Sequence, residues 1–234
     1  MSLFETVPLS PLPANDWRLS RWLILLEFIL IDLIFLAGSR RLLPLGVTPY
    51  LVLLAWVSLR LRGLRWRDLG LARKSSWTHV LTLGMAAGVG MATFDAFVVT
   101  PLLGSLTGRP PDLSAFRSVP GSLGHLLFEL AIVWTFAAFG EEMIWRGYLL
   151  NRLAGSAKPT RNVWIASLIA VNVAFGLAHS YQGLSGMIDA GLGGLFLGML
   201  YLYTGRNLLV PIVAHGVFDT VGFVAMYLHK YPGM

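Results

Sequence analysis

Six ionisable residues in the second half of the chain are of types that carry out acid–base chemistry. They are Glu141, Glu142, Arg146, His179, His215 and Asp219. Carboxylates and imidazoles can take a proton from a water molecule and can stabilise a developing negative charge. Each of the six lies in an apolar stretch, where an ionisable side chain is costly unless it has a partner, a water-filled cavity or a function.

The first motif contains two adjacent acids followed by an arginine. Glu142 and Arg146 are four residues apart and share one face of a helix, whereas Glu141 is rotated about 100° from Glu142. We therefore expect Glu142 to pair with Arg146 and Glu141 to be free for catalysis. Taken alone, the run is also typical of a salt bridge at the end of a helix.

Two further pairs have the same four-residue spacing. Phe175 and His179 share a face near the end of one apolar run, and His215 and Asp219 share a face of another. Taken alone, His179 is typical of a histidine with one hydrogen bond, and His215 and Asp219 could satisfy each other. The three motifs indicate a polar site only if three helices bring them together.

The elements that must position these residues are apolar helices. Of the 234 residues, 56% are hydrophobic and 13% are charged, which leaves too little polar surface for an ordinary soluble globule. Seven runs are near the length that a membrane span requires: Trp22 to Gly38, Val47 to Leu61, His79 to Leu103, Ser122 to Asn151, Asn162 to Ala178, Leu184 to Thr204 and Leu208 to Leu228. The sequence predicts an all-α transmembrane bundle of about seven spans that encloses a polar cavity.

A single transmembrane domain is predicted for residues 17–234, preceded by an irregular tail at residues 1–16. The tail carries three prolines, and the segment Gly108 to Gly121, which carries three more, is predicted to be a loop. Close helix packing is expected at Gly191, Gly194 and Gly198. Among the remaining acids, Asp95 is the one expected near the cavity.

The net charge of +6 has a placement typical of a membrane protein. Basic residues lie between the apolar runs, with no free basic stripe for nucleic acid, so the lipid bilayer is the expected partner. With a cytoplasmic amino terminus, the residues toward the cytoplasm are Arg18, Arg21, Arg60, Arg62, Arg65, Arg67, Arg73, Lys74, Arg146, Arg152, Lys158, Arg161 and Arg206; those opposite are Arg40, Arg41, Arg109, Arg117 and Lys230. This excess of basic residues on one side predicts a protein of the cell membrane with its amino terminus in the cytoplasm. The cavity is then expected near the cytoplasmic leaflet.

Together the three motifs resemble the CPBP family (CAAX proteases and bacteriocin-processing enzymes, also called Abi), which includes the type II CAAX prenyl endopeptidases. The family pattern is EExxxR, FxxxH and then HxxxN or HxxxD, each on its own transmembrane helix. The resemblance is clearest from Gly140 to Thr220 and implies a protease core at residues 121–228. It implies an intramembrane endopeptidase whose substrate is a prenylated CaaX-like tail or another membrane-anchored peptide.

The resemblance also implies a role for each residue. Glu141 and His179 would activate a water that attacks a peptide carbonyl, and His215 with Asp219 would hold the oxyanion. Glu142 and Arg146 would orient the site. The endopeptidase members carry Asn at the last position, so Asp219 must be protonated or must orient His215, or else the task differs.

Three alternatives to a glutamate-type protease remain open. Two carboxylates and two imidazoles also suit zinc, but the HExxH spacing is absent and no metal or other cofactor is expected. The second is a non-catalytic immunity or scaffold protein that binds peptides in the same cavity. The third, a small transporter, is disfavoured because no inverted repeat is visible. Cysteine is absent from the sequence, which excludes a cysteine nucleophile. The sequence does not identify the substrate or the oligomeric state.

Overall fold

Seven helices form the protein in a computed structural model that describes residues 16–17, 20–72, 75–155 and 160–231. Their bounds are α1 Arg21–Ser39, α2 Thr48–Leu61, α3 Trp77–Thr107, α4 Leu123–Ala154, α5 Arg161–Ala178, α6 Gly183–Tyr203 and α7 Leu209–Tyr227. The described residues contain no strand, so the predicted all-helical fold is confirmed. The predicted tail, apart from Asp16, and the basic residues Arg18, Arg73, Lys74 and Lys158 lie outside the described residues.

Five helices among the described residues, α3 to α7, are long and apolar enough to cross a membrane. The segment α2 has 14 residues, which is about 21 Å of helix against a hydrocarbon core of about 30 Å. The helix α1 has 19 residues and carries Glu27 and Asp32. Apolar side chains on α1 such as Leu25 and Leu33 are nevertheless exposed, as a surface against lipid requires. The chain is an integral membrane protein.

Two helices depart from regular α-helical winding. In α3 the segment Asp95–Val99 is π-helical, and in α4 the segments Val133–Glu141 and Met143–Leu150 are π-helical. A π-helical turn is rare and is found often at functional sites. Four of the predicted site and cavity residues, Asp95, Glu141, Glu142 and Arg146, lie in or between these segments.

Because the helices alternate in direction, the connections between them fall on two faces of the bundle. Among the described residues, the basic face comprises residues 62–72, 75–76, 155, 160 and 204–208, and the opposite face comprises residues 40–47, 108–122, 179–182 and 228–231. On the basic face, Leu208 N donates to Gly70 O at 3.1 Å. On the opposite face, Asp112 N donates to Gln182 O at 2.9 Å, and Gly121 N donates to Tyr227 O at 3.0 Å.

Glycines allow the helices that carry the site to approach closely. A Cβ atom on Gly88 of α3 would lie 2.5 Å from Ala214 O of α7, so these backbones are in contact. A Cβ atom on Gly194 of α6 would lie 2.5 Å from Asn172 Oδ1 of α5, and one on Gly198 would meet Leu168. The predicted close contact along α6 is therefore confirmed, since larger residues could not replace these glycines without displacing α5.

A buried carboxylate joins α1 to α2 and α4. Glu27 Oε1 accepts from Ser58 Oγ at 2.8 Å and lies 2.7 Å from Arg62 Nη2. Glu27 Oε2 accepts from Arg152 Nε at 2.7 Å, and Tyr148 OH donates to Ser58 Oγ at 2.8 Å. Charged groups this deep in the bundle are tolerated because each has an opposite charge or a hydrogen-bond partner.

Candidate active site

The segment around Glu142 is the most deeply buried part of α4. Glu142 and Arg146 have 0% and 1% of their side-chain surface exposed, and all residues between them are buried. Arg146 Nη1 donates to Glu142 Oε1 at 2.8 Å. The predicted pairing of Glu142 with Arg146 is therefore confirmed, and it neutralises two charges that could not otherwise remain in a dry interior.

Arg146 also connects α4 to the two helices that follow. Its Nη2 atom donates to Gly194 O at 2.8 Å and to Asn172 Oδ1 at 3.2 Å. Its guanidinium carbon lies 4.7 Å from the centre of the Phe175 ring, in a cation–π contact. A planar guanidinium with several donors suits this position, where a lysine could not reach the same partners at once.

His215 lies between two carboxyl groups. Its Nδ1 atom is 2.9 Å from Glu142 Oε1, and its Nε2 atom is 3.4 Å from Asp219 Oδ2. Because Glu142 is the acceptor in its ion pair with Arg146, Nδ1 of His215 carries the hydrogen in this contact. The ring orientation is thus fixed by α4, and Nε2 is directed toward Asp219.

His179 terminates α5 and is held by its own helix. Its Nδ1 atom lies 2.8 Å from Phe175 O, so the backbone carbonyl accepts a hydrogen from Nδ1 and leaves Nε2 as the acceptor nitrogen of the neutral ring. The ring centre lies 4.7 Å from that of Phe175 and 5.9 Å from that of Tyr181. A neutral imidazole with a free acceptor nitrogen can receive a proton from water.

Four of the six predicted site residues line one cavity of about 790 Å³. They are Glu141, His179, His215 and Asp219. Glu142 and Arg146 lie behind this wall. The residue Asp95 also lines the cavity, as predicted, together with Glu129 and Asp189. Most of the remaining lining is apolar, so the carboxyl and imidazole groups are concentrated in one polar region.

The lining comes from one half of the bundle. It includes Leu45, Leu113, Gln182 and Tyr231 of the opposite face, and it includes no described residue of the basic-face connections. The sequence predicted a cavity near the basic face, because 18 residues of α4 precede Glu141 and the helix ends at that face. In the structure the cavity instead extends along the first half of α4, toward the opposite face. Glu141 lies at its inner end.

A second cavity of about 960 Å³ reaches two of these residues, Glu141 and His179, from the side. It lies between α1, α2, α4 and α5, and its walls include Phe28, Phe35 and Leu177. Glu141 and His179 line both cavities. These two side chains are therefore reached both from the first cavity and from a second cavity beside α1, which Asp32 and Arg41 also line.

The donor set does not fit a metal ion. Among the described residues, no group of three or more His, Asp or Glu side chains is arranged to hold one. His215 directs both ring nitrogens at carboxyl groups, and His179 uses one nitrogen for the Phe175 carbonyl. A zinc site would need three of these donors to converge on one point, so no step is assigned to a metal.

Asn172 and Gly194 hold Arg146 in place and were not identified from the sequence as parts of the site. Asn172 precedes Phe175 by three residues and His179 by seven, which is the spacing of one helix face. That periodicity could have identified Asn172. Gly194 acts through its backbone carbonyl, which no side-chain pattern reveals.

Comparison with known families gives one match. Residues 123–221 match the family model described as type II CAAX prenyl endopeptidase Rce1-like. The matched segment begins at the start of α4, ends within α7 and contains all six predicted site residues. The resemblance inferred from the three motifs is confirmed. No curated protein and no solved structure matches the chain.

Proposed function

We propose that this chain, whose residues 123–221 match the type II CAAX prenyl endopeptidase Rce1-like family model, is an intramembrane endopeptidase that cleaves a membrane-anchored peptide. One observation carries the proposal: Glu141 of α4, His179 at the end of α5, and His215 and Asp219 of α7 line a single cavity. Carboxylate and imidazole groups gathered in one pocket can manage the proton transfers of amide hydrolysis.

The proposed reaction begins with a water molecule held by Glu141 and His179. As the water oxygen forms a bond to the peptide carbonyl carbon, Glu141 takes one of its protons. The carbonyl oxygen becomes an oxyanion. His215, which for this role carries a hydrogen on both ring nitrogens and hence a positive charge, donates from Nε2 to stabilise it. When the carbon–nitrogen bond breaks, the proton moves from Glu141 to the leaving amine, so that one water is consumed for each bond cleaved.

Glu142 and Arg146 act as positioning residues in this proposal. Glu142 accepts from Nδ1 of His215 at 2.9 Å and so directs Nε2 into the cavity. Arg146 holds Glu142 in place, since it donates to that carboxylate at 2.8 Å. Without this pair the imidazole would lose the hydrogen bond that defines its orientation.

Asp219 is proposed to act on the same imidazole. Its Oδ2 atom lies 3.4 Å from His215 Nε2, close enough to attract a ring hydrogen and to hold the ring before substrate binds. An ionised carboxylate would oppose an oxyanion at this position, so Asp219 is proposed to be protonated when the oxyanion forms. A protonated Asp219 presents the same kind of donor as the amide that the family's endopeptidases carry there.

The apolar part of the second cavity, beside α1, supports a substrate that is attached to the membrane. Its walls, which include Phe28, Phe35 and Leu177, would accommodate a hydrocarbon chain, while Glu141 and His179 at its end meet the peptide. A prenylated CaaX-like tail is one such substrate, and a peptide with another lipid anchor is a second. Both present an apolar group and a peptide bond in sequence.

The test is cleavage by the purified protein in proteoliposomes. Glu141→Gln and His179→Ala should each lower turnover of farnesylated or palmitoylated peptides at least about 100-fold, because the first removes the group that transfers the proton and the second removes a group that holds the water. The control is His125→Ala, because His125 is exposed and does not line the cavity. Its Nδ1 atom lies 2.8 Å from Ser122 Oγ. Released fragments are measured by mass spectrometry. Unchanged turnover in either site variant, with correct folding, refutes the assignment.

A further inference from the structure

We propose that the basic face carries a binding site for the phosphate group of an anionic phospholipid, between the end of α2 and the turn that follows it. The site is a pocket of about 400 Å³. Its lining contains two leucines, together with three arginines and two tryptophans: Arg60, Arg65, Arg67, Trp56 and Trp66. The pocket shares no lining residue with the two cavities that Glu141 lines, and the proposal does not depend on the proteolytic function.

The pocket concentrates positive charge that nearby carboxylates do not neutralise. All three arginines are exposed, and none of the described residues that line the pocket is acidic. The neighbouring acid is Asp68, whose Oδ2 atom accepts from Arg65 N at 2.7 Å and so caps the 3₁₀-helical turn Trp66–Leu69. Its Oδ1 atom lies 3.8 Å from Arg67 Nε, which is longer than a hydrogen bond. The excess of guanidinium groups over carboxylates therefore favours an external anion.

The turn that carries two of these arginines is fixed by contacts with other parts of the bundle. Leu69 is buried, and its carbonyl oxygen accepts from Tyr201 OH at 2.8 Å. The next carbonyl oxygen, that of Gly70, accepts from Leu208 N at 3.1 Å. The backbone at the wall of the pocket is thus held by α6 and by the connection that follows α6, so little order has to be gained when a ligand binds.

The end of α2 forms the other wall and does not oppose an anion. The last carbonyl groups of a helix carry partial negative charge. Here Leu59 O accepts from Leu64 N at 2.9 Å, and Arg60 O accepts from Gly63 N at 3.1 Å, so both oxygens are used within the chain. The guanidinium carbon of Arg60 lies 5.6 Å from the centre of the Trp56 ring, in a cation–π contact that supports the side chain at the pocket.

The chemistry of the pocket fits a phosphate group that is carried by a lipid. Guanidinium groups bind phosphate oxygens through paired N–H donors, and basic residues at a membrane surface attract anionic lipids. Tryptophan is enriched at the level of lipid headgroups, where Trp56 and Trp66 would contact the glycerol and the first acyl carbons. Free inorganic phosphate shares the charge but has no apolar part for these rings. Phosphatidylglycerol is therefore the ligand used to probe the site.

The test measures lipid binding to the purified, delipidated full chain in detergent. The protein is titrated with phosphatidylglycerol, with phosphatidylcholine and with inorganic phosphate, and bound molecules are counted by native mass spectrometry. Phosphatidylglycerol should bind at least about tenfold more tightly than phosphatidylcholine, whose headgroup carries no net charge. Arg65→Gln/Arg67→Gln should raise the Kd for phosphatidylglycerol at least about tenfold. Arg60→Gln, on the other wall, should raise it about threefold or more.

The matched control is Arg109→Gln/Arg117→Gln, which removes the same charge from two exposed arginines of the opposite face and should leave the Kd unchanged. Circular dichroism checks that each variant is folded. Equal affinity for the two lipids, or an unchanged Kd in both pocket variants, would overturn the proposal. So would an equal loss of affinity in the control, because binding would then follow net charge alone. Inorganic phosphate that binds as tightly as phosphatidylglycerol and displaces it would overturn the assignment to a lipid.

Discussion

Replacement of Arg146 by methionine should destabilise the protein, although methionine fills a similar volume. The substitution removes the donors to Glu142, Gly194 and Asn172, and it leaves the Glu142 carboxylate buried with His215 alone. Removal of one partner of a buried ion pair costs about 3–5 kcal/mol. For a domain of this size, about 2–4 °C of Tm corresponds to each kcal/mol, so Tm should fall by about 6–20 °C.

The double variant Glu142→Gln/Arg146→Met tests whether the unpaired charge is the cause. A neutral Gln at position 142 can still accept from His215 and needs no cation, so the double variant should be more stable than Arg146→Met by at least about 1 kcal/mol. Tm is followed by circular dichroism in detergent. The control is Arg60→Met, an exposed guanidinium 5.6 Å from the Trp56 ring, worth about 0.5–1 kcal/mol. Equal Tm for Arg146→Met and the unmodified protein, or a double variant less stable than Arg146→Met, refutes the reasoning.

Two further substitutions test the surroundings of this pair. In Gly194→Ala the new Cβ would lie 2.5 Å from Asn172 Oδ1 and 2.9 Å from Arg146 Nη2. Overpacking of this kind costs about 1–3 kcal/mol, so Tm should fall by about 2–12 °C. Gly193→Ala is the matched control because its Cβ would meet only the flexible end of a methionine side chain at 3.0 Å, and equal Tm values would contradict the packing argument. Asp219→Asn should raise turnover of the peptides in proteoliposomes, because it removes an ionisable group beside the oxyanion; a tenfold loss would contradict the proposed role.

The fold and the local side-chain pairs could be predicted from the sequence because both depend on short-range geometry. Apolar runs of span length give helices, and residues four apart on a helix meet, as Glu142 and Arg146 do. The same reasoning identified His215 with Asp219. It also identified the close packing at Gly194, since small residues at a helix interface allow backbone contact.

Contacts between helices distant in sequence could not be predicted in the same way. The hydrogen bond from His215 to Glu142 joins residues 73 positions apart, and nothing in either motif specifies the partner. The side on which the cavity opens was also missed, because position along α4 does not reveal which neighbouring helices leave space. The π-helical winding of α4 depends on those neighbours and gives no pattern in the sequence.

That winding has a consequence for the assembly of the protein in the membrane. An isolated helix rarely sustains π-helical turns, whereas α4 holds two such segments, from Val133 to Glu141 and from Met143 to Leu150. The residues from Glu142 to Leu150 are all enclosed by neighbours. The helices packed against these segments include α5 and α7, which follow α4 in the chain. The cavity wall that joins Glu141 to His215 and Asp219 is thus complete only once the last helix has packed against α4.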